Sequence, residues 1–214
     1  MRRTFYFLLL GFGLAGGTTD TPAGALSLSE WQRELAAKPQ GDGTRGGTLY
    51  AEHGCAGCHG PEGMADNRQW PVLARQRPLY LYKMLLDYQA ERMAGPDAAI
   101  MASVVRELNR QDLADLAEWL GALPRPQAAE VPEPAILRGD RKRLIPPCSA
   151  CHGAHGQGWD LQPALRGQNR DYLIRTLQRF KKGERSNDVN AGMSQFAAKL
   201  TDEEIRALAE YYGR

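Results

Sequence analysis

Cysteine is scarce in this chain, long apolar runs are missing and the net charge is small. Each shortage excludes something. Four cysteines in 214 residues are too few for a miniprotein stapled by disulfides. The longest apolar stretch, Phe5 to Gly17, covers 13 residues, against the ~20 of a membrane-spanning helix. With 27 basic and 25 acidic side chains the formal charge is +2, and 43 % of residues are apolar. That composition excludes a disordered, collagenous or low-complexity chain. The length admits one domain or two small ones.

The start of the chain has the order of a secretory signal. Arg2 and Arg3 precede the apolar run, and Ala23-Gly24-Ala25 supplies the small-x-small pattern of a cleavage site. Residues 1–25 are therefore expected to be a signal peptide, with a mature start near Leu26. A cleaved signal fits this run better than a permanent anchor.

The rest of the chain repeats itself. Cys55-Ala-Gly-Cys58-His59-Gly60 recurs 93 residues later as Cys148-Ser-Ala-Cys151-His152-Gly153. At an offset of 92, Pro71-Val-Leu73 matches Pro163-Ala-Leu165, Gln76 matches Gln168, and Tyr80-Leu81 matches Tyr172-Leu173. Met101, Leu108 and Gly121 match Met193, Leu200 and Gly213. Agreement at this many ordered positions marks a tandem of two homologous units. The expected organisation is an N-terminal helix and flexible joint at 26–45, a first domain at 46–122, a proline-rich linker at 123–134 and a second domain at 135–214. Pro124, Pro126, Pro132 and Pro134 make the linker stiff and extended. The joint is read from the glycines between Gln40 and Gly47.

Apolar periodicity predicts helices throughout, with no sustained alternation of period two. Ser27 and Glu30 form a capping box for the first helix. Asn109 and Thr201 cap the last helix of each unit, with Asp112 and Glu204 three residues on. Gly121 and Gly213 are expected at their C′ ends. Further helices fit 80–90 and 172–182, and a shorter one is expected before each Cys-x-x-Cys-His.

Cys-x-x-Cys-His is the attachment motif of c-type haem. Two thiols three positions apart on a helical turn can add to the two vinyl groups along one porphyrin edge, which delivers the adjacent His beneath the iron. Cys55, Cys58, Cys148 and Cys151 are thus the candidate attachment points for two covalent haem c groups, with His59 and His152 as iron ligands. Alternatives fit less well. A zinc site would draw on thiols 90 positions apart, not the 15–20 of a compact ribbon. A thioredoxin-like pair needs a βαβ setting. Disulfides within each motif would be strained and leave the histidines unexplained.

A thioether is a suitable sixth ligand because it favours ferrous iron. Met193 is the single methionine of unit two. Met101 is its match in unit one, ahead of Met93; Met84 fits the buried face of its helix, and Met64 lies too near His59. Met101 and Met193 each stand eight residues before the cap of the terminal helix. His53 and His155 are expected to face solvent. The carbonyls of Pro71 and Pro163 are candidates to accept the Nδ1–H of the two ligand histidines. Tyr80 and Tyr172 are expected to pack with a polar tip.

These ordered features, met twice between Gly46 and Gly213, resemble class I cytochrome c, and their tandem resembles the dihaem cytochromes of the cytochrome c4 type. The resemblance implies an all-α fold of two tandem class I cytochrome c domains, each wrapped around one covalently attached haem. It implies a periplasmic electron carrier rather than an enzyme, with His59 and Met101, and His152 and Met193, on the two irons. The implied partners are redox proteins: a terminal oxidase, a quinol–cytochrome c reductase or a dehydrogenase, with transient docking to a membrane complex. Nucleic acid is not expected as a partner of an exported haem protein. The alternative is the haem subunit of a flavin, quinoprotein or sulfide-oxidising dehydrogenase. A dihaem peroxidase or ligand sensor would require an open iron. Residues 26–123 carry 10 basic and 13 acidic side chains, and residues 135–214 carry 14 and 9. The resulting dipole is expected to orient docking.

Overall fold

A computed structural model describes residues 27–128 and 130–214; the expected signal peptide lies outside them. Ten α-helices and three short 3₁₀ turns account for the regular structure there, and only isolated β-bridges occur.

Unit one opens with α1 (Leu28–Ala36), whose Ser27–Glu30 capping box is present. This added helix buries Trp31 completely, and the Trp31 ring lies 5.0 Å from Lys83 Nζ. Next comes α2 (Gly43–Glu52), capped by Asp42. The stretch expected to be a flexible joint is therefore largely the first turns of a helix. Its glycines serve close approach instead: a Cβ on Gly46 would collide with the Asp115 carbonyl and lie 2.8 Å from Trp119 Cβ. The helix crossed there is α6 (Arg110–Ala122), with its Asn109–Asp112 capping box. Arg45 locks the crossing by pairing with Asp112 and Asp115. Between these helices lie α3 (Ala56–His59), α4 (Pro78–Gln89) and α5 (Pro96–Val105). Leu49, Leu81, Tyr82, Leu86, Val105, Leu113 and Leu116 form the core.

Unit two repeats the scheme with α7 (Ser149–His152), α8 (Arg170–Lys181), α9 (Gly192–Ala197) and α10 (Asp202–Tyr212). Here Ile145, Leu173, Ile205, Leu208 and Tyr212 build the core. The short helix expected before the second Cys-x-x-Cys-His is replaced by a 3₁₀ turn, Ala135–Arg138, and a bridged hairpin of Asp140 with Ile145. The prolines and Gly139 of this basic segment favour turns over a helix.

Neither predicted C′ glycine takes a left-handed conformation. Gly121 lies inside α6, where a Cβ would stand 2.6 Å from Pro78 Cγ. Gly213 ends α10 with extended backbone, φ −81° and ψ 172°. Close packing explains the first glycine better than helix termination does.

The repeat extends to the interface between the units. Gln76 and Gln168, 4 % and 3 % exposed, each hold the other unit's backbone with both ends of the amide. Val72 N–H donates to Gln168 Oε1 at 2.6 Å, and Gln168 Nε2 donates to the Val72 carbonyl at 3.0 Å. Reciprocally, Ala164 N–H donates to Gln76 Oε1 at 2.7 Å, and Gln76 Nε2 donates to the Ala164 carbonyl at 3.0 Å. Since Val72 matches Ala164 in the repeat, the contact is self-complementary, as at a two-fold dimer interface. The linker joins in: Arg125 donates to the carbonyls of Ala74, Ala164 and Arg166. Beside this clamp, Lys83 pairs with Asp87 and donates to the Asn187 carbonyl at 2.5 Å, while Asn187 Nδ2 donates to Asp87 at 2.6 Å.

Two outcomes follow from these contacts. Gly46→Ala should destabilise unit one by about 1–3 kcal/mol, the usual cost of overpacking; thermal unfolding of the haem-loaded chain checks it. In unit two, Arg143 holds the carboxyls of Glu204 and Asp140 below the usual carboxylate range through hydrogen bonds. Stability from such depressed carboxyls is present at neutral pH and lost as pH falls through their folded-state values. Arg143→Ala should therefore give a shallower fall of melting temperature between about pH 6 and about pH 3.

Candidate functional site

Each Cys-x-x-Cys-His is a single helical turn. His59 N–H donates to the Cys55 carbonyl at 2.9 Å, and His152 N–H to that of Cys148 at 3.0 Å. The first thiol of each motif is half-buried and packs against its unit's core, and the second is exposed. No disulfide joins the four cysteines. Burial pushes Cys55 and Cys148 up, the reverse of what an active dithiol pair requires. Among the described residues no group of three or more His, Cys, Asp or Glu is placed to hold a metal ion. The thioredoxin-like and zinc alternatives therefore lack support.

The imidazoles are the best-defined parts of the site. His59 and His152 are each 6 % exposed. Nδ1 of His59 lies 3.3 Å from the Pro71 carbonyl, and Nδ1 of His152 lies 2.9 Å from that of Pro163. A carbonyl only accepts, so Nδ1 carries the proton and Nε2 is left with its lone pair. Burial lowers both imidazoles from their ordinary titration range, against the raising effect of the proline carbonyls, which keeps the rings neutral. Nε2 of His59 is buried without a hydrogen-bond partner. An orphaned buried nitrogen is costly unless something ligates it, and two thiols stand on the same turn. This donor set fits a thioether-bound haem.

Unit one adds a brace that unit two lacks. Tyr50 donates its hydroxyl to the Gly60 carbonyl at 2.7 Å and packs on Trp119, ring centroids 4.7 Å apart. It steadies the residue directly after His59. Trp70 meets the His59 ring edge-on at 6.0 Å.

Met101 lies half-buried in α5 against the unit-one core, and Met193 lies half-buried at the start of α9. Met84 is otherwise occupied: its sulfur accepts from Asn187 Nδ2 at 3.3 Å and Arg185 Nη2 at 3.5 Å. Met93 sits half-buried in the loop after α4. His53 and His155 are exposed, as expected. The Tyr80 hydroxyl meets the buried Arg185 guanidinium at 3.2 Å, and Tyr172 stacks under Arg175. Tyr80 thus packs with a polar tip, while Tyr172 meets Arg175 through its ring. Sequence reasoning noted Gln76 and Gln168 only as matching letters and did not single out Tyr50. The recurrence of the glutamines beside Pro-x-Leu was the one signal available for them.

Two helical units, each presenting this turn with a buried, carbonyl-oriented imidazole, define an electron-transferring cytochrome c with two haem domains. Family comparison agrees: residues 43–124 match the family described as cytochrome c, and residues 146–211 match cytochrome c oxidase, cbb3-type, subunit III. Cytochrome c4 of Thiocapsa roseopersicina is 37 % identical over 82 % of this chain and 94 % of its own. The thiosulfate dehydrogenase electron acceptor of Stutzerimonas stutzeri is 34 % identical, covering 89 % of this chain and 92 % of its own. The crystal structure of reduced recombinant cytochrome c4 from Pseudomonas stutzeri superposes with a TM-score of 0.73 at 32 % identity, covering 80 % of this chain and 97 % of that one. The chain belongs to the cytochrome c4 family, and carries two covalently bound haem c groups at its Cys55/Cys58 and Cys148/Cys151 motifs. It transfers electrons, and a redox protein is its partner. No helix among the described residues is long and apolar enough to cross a membrane.

Tyr50→Phe should lower the stability of unit one by about 1 kcal/mol, the usual net value of a hydrogen bond to a buried acceptor. Denaturant unfolding followed at the unit-one haem absorbance checks this.

Proposed function

We propose that this chain is a periplasmic electron shuttle with its two irons held by His59 and Met101 and by His152 and Met193. The observation that carries this reading is the double construction: a buried neutral imidazole oriented by a proline carbonyl, and a half-buried methionine at one register, in both units. Bound haem supplies one reversible electron per site. The protein contributes rigid, oriented ligands, thiols that make attachment permanent, and a packed interface between the units.

A filled sixth position opposes substrate activation, which separates this reading from a peroxidase or ligand sensor. As donor and acceptor we propose a respiratory or dehydrogenase complex on one side and a terminal oxidase on the other. Similarity to a thiosulfate dehydrogenase electron acceptor over most of both chains favours a second reading, service to an exported oxidase of small sulfur anions. The first domain is taken as 46–122 and the second as 135–214, the latter with its excess of positive charge as the end that meets an acidic partner.

Optical spectra of the ferric protein test the ligands. Met101→Ala and Met193→Ala should each remove about half of the weak far-red methionine–iron band, and each should gain binding of cyanide. Met93→Ala should change neither. Loss of the band in Met93→Ala, and not in Met101→Ala, transfers the unit-one ligand to Met93.

A further inference from the structure

One peptide group in each unit has hydrogen bonds at both ends, and the two bonds reach different units. The carbonyl of Pro71 lies 3.3 Å from His59 Nδ1, and the N–H of that same peptide, Val72 N, donates to Gln168 Oε1 of unit two at 2.6 Å. In unit two the Pro163 carbonyl lies 2.9 Å from His152 Nδ1, and the N–H of its peptide, Ala164 N, donates to Gln76 Oε1 of unit one at 2.7 Å. Both glutamines are buried. Their orientation is chemically forced, because each amide faces one N–H donor and one carbonyl acceptor. Each Oε1 also accepts from the next backbone N–H, Arg77 at 2.9 Å and Asn169 at 2.8 Å, which fixes the side chain.

We infer that Gln168 and Gln76 are crossed positioning residues: each sets, through one peptide group, the donor strength of the proximal histidine in the opposite unit. This rests on the proposal that His59 and His152 ligate the irons. A hydrogen bond to a peptide N–H polarises the group and enriches its carbonyl oxygen, so bonds in such a chain strengthen one another. A richer Pro71 oxygen pulls harder on the Nδ1 proton and makes the His59 ring a stronger donor. A stronger donor favours ferric iron. Each glutamine therefore lowers the reduction potential of the other unit's haem, and any shift of the interface is felt at both irons.

The test uses the complete chain with both haems. Proton NMR of the ferric protein reads the ring Nδ1–H of each proximal histidine, assigned to its unit with Met101→Ala and Met193→Ala, and spectroelectrochemical titration reads both potentials. Gln168→Leu should move the His59 resonance and raise the unit-one potential, leaving His152 in place. Gln76→Leu should do the converse. Gln168→Glu keeps an acceptor on Val72 N–H and should return the His59 resonance toward the wild-type value. Asn187→Ala loosens the same interface without touching either peptide and should move neither resonance. If Gln168→Leu leaves His59 fixed, or moves His152 instead, the crossed coupling is wrong. If the wild type shows no haem-shifted ring resonance from His59, the ligand assignment itself has failed, whatever the glutamine variants do.

Discussion

The hydrogen bond from the imidazole of each Cys-x-x-Cys-His to a proline carbonyl is the constraint on which the site depends. It fixes the tautomer, leaves Nε2 unprotonated, and fastens the Cys-x-x-Cys-His turn to the loop below it. Without that carbonyl the buried His59 ring would have two unmet polar atoms in place of one. With it, the remaining nitrogen keeps a free lone pair directed away from the carbonyl. The helices of each unit serve this arrangement by burying the ring and presenting the thiols on one turn.

The same loop is where the two units meet. The residue after each orienting proline, Val72 or Ala164, is the one gripped by the opposite glutamine. Site and interface thus share a peptide bond, and the pairing of the units is built into the orientation of both histidines. The buried Lys83–Asp87–Asn187 contacts and the linker's Arg125 reinforce the contact on either side. Removing one member of such a buried charged group is costly because its partner remains desolvated. This argues for a fixed rather than sliding arrangement of the two domains, which suits transfer of an electron from one to the other.

Much of this was readable from the amino-acid order because it rests on local chemistry. Capping boxes at Ser27, Asn109 and Thr201 need only residues three apart, and all three form. The terminal helices and α4 and α8 follow from apolar periodicity. Pro71 and Pro163 stood out because they recur in a Pro-x-Leu 12 and 11 residues behind the two ligand histidine candidates. Errors arose where a residue has two uses. Glycines near 40–47 signal flexibility in isolation, but Gly46 is there so that α2 can cross α6 at short range. Gly121 looked like a helix end and is a contact point for Pro78.

Sequence alone determined the cofactor, its two attachment motifs, the helical class and the duplication, since all of these follow from short spacings and self-similarity along one chain. Tertiary structure alone decided that Gln76 and Gln168 exchange places across the interface, that Met84 turns its sulfur to Arg185 and Asn187, and that Arg125 anchors the linker. Those partners stand about forty to a hundred positions apart. No periodicity or local propensity encodes contacts at that separation; they exist only once two cores have formed and met.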